Sequence, residues 1–109
     1  MPPYVDELLR LYRGLPGTTH RVRSADRTLA RDLYHRQIPF ELLRGALLLG
    51  CARRLGSASA PLPTIRSLHY FLPVLDELQQ SQQSHPLEEG YLSYLERKIR
   101  QLTAPSQPA

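Results

Sequence analysis

Hydrophobic residues recur every three or four positions near the start of the chain, which is the spacing of one face of an α-helix. Val5, Leu8, Leu9 and Tyr12 form this first stripe. Pro2 and Pro3 suit a first helical turn, because the N–H groups that they lack would have no partner there. The pattern predicts a helix over about residues 3–13.

A loop over residues 15–23 precedes a second predicted helix. Leu-Pro-Gly at 15–17 is typical of a turn, and the residues after it show no periodicity. Ser24 is a suitable N-cap, and Asp26 lies where the helix dipole favours a negative charge. We expect this helix to end near Arg36. Its inward face comprises Ala25, Leu29, Ala30 and Leu33, with Tyr34 as a further candidate.

The third predicted helix, residues 39–56, is apolar on nearly all sides in its middle, which is typical of a central helix. Pro39 opens it and Gly56 is a natural stop. We expect Leu47, Leu48 and Cys51 to be buried, either in the domain or in a dimer contact.

A fourth apolar stripe passes through a proline without losing phase. Ile65, Leu68, Leu72 and Leu75 have helical spacing on either side of Pro73. The pattern predicts one helix from about Thr64 to Leu78, bent where Pro73 removes a backbone hydrogen bond.

A fifth helix is predicted from Pro86 onward. Its apolar stripe comprises Leu87, Tyr91, Leu95, Ile99 and Leu102. The residues after it, 103–109, carry no charge and include two prolines, so we expect a flexible C-terminal tail.

No run alternates between apolar and polar residues, so no strand is predicted. The fold class is therefore all-α: a single-domain bundle of about five helices, residues 1–102, around the apolar third helix and with a Pro-kinked fourth helix. The longest apolar run, residues 46–52, is far shorter than the roughly 20 residues of a membrane span. We expect no membrane association and a cytoplasmic location.

Positive charge is concentrated in one part of the chain. From Arg10 to Arg66 there are 11 Arg and three acidic residues, a net charge of +8, whereas residues 67–109 have a net charge of −2. The basic residues are 13 Arg and one Lys. Arginine suits phosphate and carboxylate recognition, but a GC-rich coding sequence produces the same excess, and the sequence leaves both explanations open.

The second helix and the loop before it form the predicted nucleic-acid surface. Its members are Arg21, Arg23, Arg27, Arg31, Tyr34, His35 and Arg36. The arginines can contact phosphates with little base specificity, and the tyrosine is available to stack. A helix-turn-helix role for the second and third helices is disfavoured, because the third helix has too few polar side chains to read bases.

No motif points to catalysis, a cofactor or a metal. The four histidines lie in separate segments without a second ligand three or four residues away. The glycines form no phosphate-binding loop, and Cys51 lies in an apolar run that suits a reduced, buried thiol. We expect no enzyme activity.

Residues 26–47, DRTLARDLYHRQIPFELLRGAL, and residues 65–78, IRSLHYFLPVLDEL, resemble the helical C-terminal parts of bacterial replication-initiator and DnaD-like proteins. In those proteins a D-x-x-L-A-x-x-L helix, a short turn, an apolar helix and an aromatic-containing helix bundle together. The resemblance covers about half the chain. This sequence departs from the family pattern in having no winged-helix domain. It implies a DNA-associated role in replication or in maintenance of a plasmid or mobile element.

Two hypotheses about function follow. The leading one is a small basic accessory protein that contacts nucleic-acid phosphates within a larger complex. The alternative is a helical adaptor or self-associating module whose arginines meet an acidic protein. The two differ in whether the chain has appreciable affinity for DNA near physiological salt.

Overall fold

The computed structural model of the chain describes residues 3–57, 63–81 and 89–103. The elements are α1 (Pro3–Gly14), α2 (Ser24–His35), α3 (Phe40–Ser57), a 3-10 turn (Leu68–Phe71), α4 (Leu72–Ser81) and α5 (Glu89–Thr103). Over the described ranges the only β pairing is an isolated bridge between Thr18 and Ile65. The prediction of an all-α domain with five helices is confirmed.

α1 forms because its apolar residues share one face, and that face is buried as predicted. Val5, Leu8, Leu9 and Tyr12 are each at most 5% exposed. The buried face packs against α2 and α3, which leaves the polar side of α1 in solvent.

α2 buries a different residue from the one that its apolar pattern predicts. Ala25 is exposed and Asp26 is only 1% exposed, while Leu29, Ala30 and Leu33 are buried as expected. Arg23, not Ser24, is the N-cap residue. A carboxylate can replace an apolar group here because it accepts backbone N–H groups from two elements, as described below.

α3 packs against α1, α4 and α5. The predicted burial of Leu47, Leu48 and Cys51 is confirmed, since they are 1%, 4% and 1% exposed. Gly50 permits a close approach: a Cβ atom there would lie 2.9 Å from Cδ1 of Phe71. The lack of a side chain therefore lets the 3-10 turn pack directly on this helix.

The predicted start of the fourth helix at Thr64 is wrong. Ile65 pairs with the loop after α1: its N–H donates to the Gly17 carbonyl at 2.7 Å, and its carbonyl accepts from Thr19 N at 3.1 Å. This pairing keeps the chain around residue 65 out of a helix. A 3-10 turn over Leu68–Phe71 follows, and α4 begins at Leu72.

Pro73 is the second residue of α4, which follows the 3-10 turn without a break, and the bend predicted near Pro73 stays a prediction. In a first helical turn its missing N–H leaves no carbonyl without a partner. The chain is helical through residues 72–74, as the unbroken apolar phase predicted. Leu68, Phe71, Leu75 and Leu78 are all buried.

α5 uses a face slightly rotated from the predicted one. Leu92, Leu95 and Ile99 are buried, whereas Tyr91 is 41% and Leu102 is 40% exposed. The predicted start at Pro86 and nearly all of the predicted tail lie outside the described residues. No helix in the described ranges has the length and apolar character to cross a membrane.

Candidate nucleic-acid interface

A basic cleft of about 190 Å³ lies between α1 and α2. It is lined by Asp6, Leu9, Arg10, Arg13, Val22 and Arg27. Arg10 and Arg13 are three residues apart on α1 and so share one face, while Arg27 comes from the first turn of α2. All three arginines are exposed. Packing of the two helices therefore brings together cations that are well separated in the sequence.

Hydrogen bonds hold the loop between α1 and α2 against the end of α1. Thr18 Oγ1 donates to the Leu15 carbonyl at 3.0 Å, and His20 Nδ1 lies 2.8 Å from the Arg13 carbonyl. Gly17 and His20 have positive φ angles of 86° and 61°, which produce the sharp reversal of the chain. With the bridge to Ile65, these contacts fix the segment that leads to Arg21 and Arg23.

Five exposed arginines form what we call the basic face: Arg10, Arg13, Arg23, Arg27 and Arg31. Arg27 and Arg31 are four residues apart on α2, and Arg23 is its N-cap. Among the described residues, no carboxylate lies within 4.0 Å of any of these guanidinium groups. Asp6, which also lines the cleft, makes no ion pair with them. The basic face is thus available to an external anion.

Asp26 is buried at the start of α2 and, among the described residues, forms no ion pair with the arginines of the basic face. Its Oδ2 accepts the Arg23 N–H at 3.0 Å, and its Oδ1 accepts the Leu68 N–H at 2.9 Å. Burial raises the pKa of Tyr12, with a further increase from the Asp26 charge and a decrease from Arg23. The negative charge of Asp26 is therefore directed inward, toward α1 and the 3-10 turn.

The seven residues of the predicted surface are all exposed, but the structure divides them. Arg23, Arg27 and Arg31 belong to the basic face, and Arg21 lies in the adjoining loop. Arg36 pairs with Asp32 at 3.6 Å on the surface of α2.

Sequence reasoning missed Arg10 and Arg13 as members of the site. The signal was their three-residue spacing on the polar side of the first predicted helix. Only the packing of α1 on α2 shows that this side faces the same cleft as Arg27.

Tyr34 and His35 line a separate aromatic cleft of about 430 Å³ at the other end of α2. The lining residues are Tyr4, Tyr34, His35, Gln37, Ile38, Pro39 and Phe40. The Tyr4 ring centroid is 5.3 Å from that of Tyr34 and 5.8 Å from that of Phe40. Tyr4 Oη donates to the Ile38 carbonyl at 2.7 Å, and burial raises the pKa of Tyr4 to about 12. The hydroxyl therefore remains protonated at neutral pH.

Arginines of α3 lie beside acidic residues from the C-terminal part of the chain. Arg53 donates to both carboxylate oxygens of Glu77, at 2.8 and 2.7 Å, and this contact lowers the pKa of Glu77. Arg44 contacts Glu96 and lies 3.6 Å from Glu41. The charge asymmetry along the sequence is thus partly cancelled in space.

The described residues contain no group of three or more His, Cys, Asp or Glu side chains that could hold a metal ion. Burial raises the pKa of the Cys51 thiol to about 11, so the thiol is protonated at neutral pH. A protonated, buried thiol is a poor nucleophile.

No protein-family model, no curated protein and no solved structure matches this chain. The resemblance of residues 26–47 and 65–78 to replication-initiator and DnaD-like proteins therefore stays a prediction. Inferences about function rest on the two clefts and the charges around them.

Proposed function

We propose that this protein binds the phosphate backbone of nucleic acids through the basic face, as an accessory protein within a larger nucleoprotein complex. The observation that carries the proposal is the convergence of Arg10, Arg13 and Arg27 on one cleft with no carboxylate paired to them among the described residues. Guanidinium groups bind phosphate through charge and paired N–H donors, which makes such a cluster suited to a polyanion.

The arrangement of the arginines favours binding that does not depend on sequence. Arg23, Arg27 and Arg31 follow one another at four-residue intervals at the start and along the outside of α2. Contacts to phosphates fix the position of a protein on its target without reading bases. The setting we propose, from the resemblance described above, is replication or maintenance of a bacterial mobile element.

The test is the salt dependence of binding to unrelated DNA sequences, measured by fluorescence anisotropy. Each neutralised phosphate contributes about −0.9 to the slope of log K against log salt on duplex, and about −0.7 on single strands. The double variant Arg27→Gln/Arg31→Gln should reduce the magnitude of the slope by up to about two on duplex. Arg10→Gln/Arg13→Gln should have a similar effect if the cleft acts as a unit.

Arg97→Gln/Lys98→Gln is the matched control, since it removes the same amount of charge from exposed positions on α5. It should leave the slope nearly unchanged. An equal effect of the control would show that only net charge matters and would contradict a localised interface.

An acidic protein surface is the alternative partner of the same arginines. In that case the wild-type chain would show no appreciable affinity for DNA near physiological salt, and Arg27→Gln/Arg31→Gln would instead release a protein partner or disrupt self-association. Absence of DNA binding at low salt would thus refute the proposal.

A further inference from the structure

The aromatic cleft begins where the basic face ends. Arg31 and Tyr34 are three residues apart on α2, so their Cβ atoms are about 5–6 Å from each other on the helix surface. His35 is four residues after Arg31, on the same side of the helix. A ligand bound along the outside of α2 would therefore meet arginines first and aromatic rings next.

The wall of the cleft is fixed before any ligand arrives. Tyr4 is held by its hydrogen bond to the Ile38 carbonyl, and Phe40 packs edge-on against it with an interplanar angle of 74°. Tyr34 is 39% exposed, so part of its ring is open to solvent. The volume of about 430 Å³ is in the range of small-molecule sites, which are typically apolar clefts with a few polar groups.

Polar groups lie at the rim of the same cleft. His35 and Gln37 are both exposed, and the His35 ring centroid is 5.6 Å from that of Tyr34. Gln37 has a φ of 59°, a conformation that few residues other than glycine adopt. Its amide carries both donors and an acceptor, which is the combination found on the edge of a nucleobase.

We propose that this cleft holds an unpaired nucleobase stacked on Tyr34, so that the chain binds single-stranded nucleic acid in preference to duplex. The inference rests on the proposed binding of phosphates by the basic face. A nucleotide joins a flat aromatic ring to an anionic phosphate, and α2 presents an aromatic cleft directly after its arginines. In a duplex the faces of the bases are covered by their neighbours, whereas an unpaired base is free to stack on an aromatic side chain.

A proline-rich peptide is another class of ligand that aromatic clefts accept. The neighbouring arginines favour the nucleotide, because such a peptide need not carry the negative charge that they would bind. The peptide is therefore an outcome of the test and not the proposal.

The experiment compares two probes at low salt by calorimetry: a short thymidine oligonucleotide, and an abasic strand with the same number of phosphates. The oligonucleotide should bind at least about fivefold more tightly, equivalent to about 1 kcal/mol of base stacking. Tyr34→Leu should abolish this ratio, and Tyr34→Trp should keep or increase it. Arg27→Gln/Arg31→Gln should weaken both probes and leave the ratio unchanged.

The matched control is Tyr94→Leu. Tyr94 is 49% exposed on α5, a helix that contributes none of the residues lining the aromatic cleft. It should leave the ratio as in the wild type. If Tyr34→Leu does not fold, nuclear magnetic resonance of the wild type provides the second readout. The ring protons of Tyr34 and Phe40 should shift with the oligonucleotide and not with the abasic strand.

The outcomes separate this inference from the proposed function. Equal affinity for the two strands would overturn the base pocket and leave phosphate binding intact. Failure of both strands to bind would overturn both proposals. Ring-proton shifts caused by a proline-rich peptide, without shifts from the oligonucleotide, would show that the cleft is a peptide site.

Discussion

Arg53 on α3 forms two hydrogen bonds with Glu77 of α4, whereas Arg27 on α2 has no ion pair among the described residues. Other arginines show the same contrast between a paired and an unpaired guanidinium group. Arg44 of α3 contacts Glu96 of α5, while the arginines of the basic face are directed to solvent. One region therefore uses arginine to join helices, and the other presents it to an external partner.

The difference shows that a charge count along the chain does not give the charge of a surface. Residues 10–66 have a net charge of +8, but part of it is neutralised by carboxylates from residues 67–109. The positive charge that has no carboxylate partner among the described residues is concentrated on α1, α2 and the loop between them. Four predictions test this comparison, from the largest expected effect to the smallest.

Leu47→Ala tests whether the two regions share one core. Leu47 is 1% exposed on α3, which packs against α1 as well as α4 and α5. We expect a loss of about 2–5 kcal/mol in the free energy of unfolding, because the substitution leaves a cavity. Urea melts should show one transition for the whole domain. A loss below about 1 kcal/mol would contradict a packed core at this position.

Asp26→Ala tests the polar contact that joins α2 to the 3-10 turn. The substitution removes the acceptor for the partly buried Arg23 N–H and for the buried Leu68 N–H, and an unpaired buried donor costs about 1–3 kcal/mol. We expect a loss of about 2–3 kcal/mol in denaturant melts. Asp32→Ala, at an exposed ion pair on the same helix, is the control and should change stability by less than about 0.5 kcal/mol. Similar effects of the two changes would mean that Asp26 has no special structural role.

Glu96→Gln tests the link between α3 and α5. The Arg44 and Glu96 side chains are 22% and 33% exposed, so the pair is partly screened from water. Without the carboxylate, Arg44 keeps Glu41 at 3.6 Å, and we expect a loss of about 1 kcal/mol. Thermal melts at low and high salt measure it. DNA affinity should not fall, because Glu96 lies outside the basic face.

Arg53→Gln and Arg27→Gln compare one arginine from each region. Arg53→Gln should return the pKa of Glu77 toward its ordinary value, measured by carboxyl resonances during an acid titration. Because that pKa is lowered in the folded state, the contribution of the pair to stability is present above the unfolded pKa and is lost as pH falls through the folded one. Arg27→Gln should leave this titration unchanged.

DNA binding should respond in the opposite way. Arg27→Gln should weaken binding and reduce its salt dependence, whereas Arg53→Gln should have little effect, because its guanidinium already holds Glu77. Equal losses of affinity from the two variants would remove the distinction between the two regions.

The local pattern of hydrophobic residues was sufficient to predict most of the helices, the buried face of α1 and the burial of Leu47, Leu48 and Cys51. These features depend on residues within a few positions of each other, because helical periodicity places them on one side. Of the candidate site, the sequence identified Arg23, Arg27 and Arg31 for the same reason: four-residue spacing along one helix is visible without a structure.

Tertiary packing decided the rest. Asp26 is buried because it accepts an N–H from Leu68, 42 positions away, and residue 65 stays extended because it pairs with the loop after α1. Arg44 meets Glu96 across 52 positions. Arg10 and Arg13 join Arg27, and Tyr4 joins Tyr34, only when α1 packs on α2. Contacts of this kind depend on the relative placement of helices, which the period of one helix does not encode.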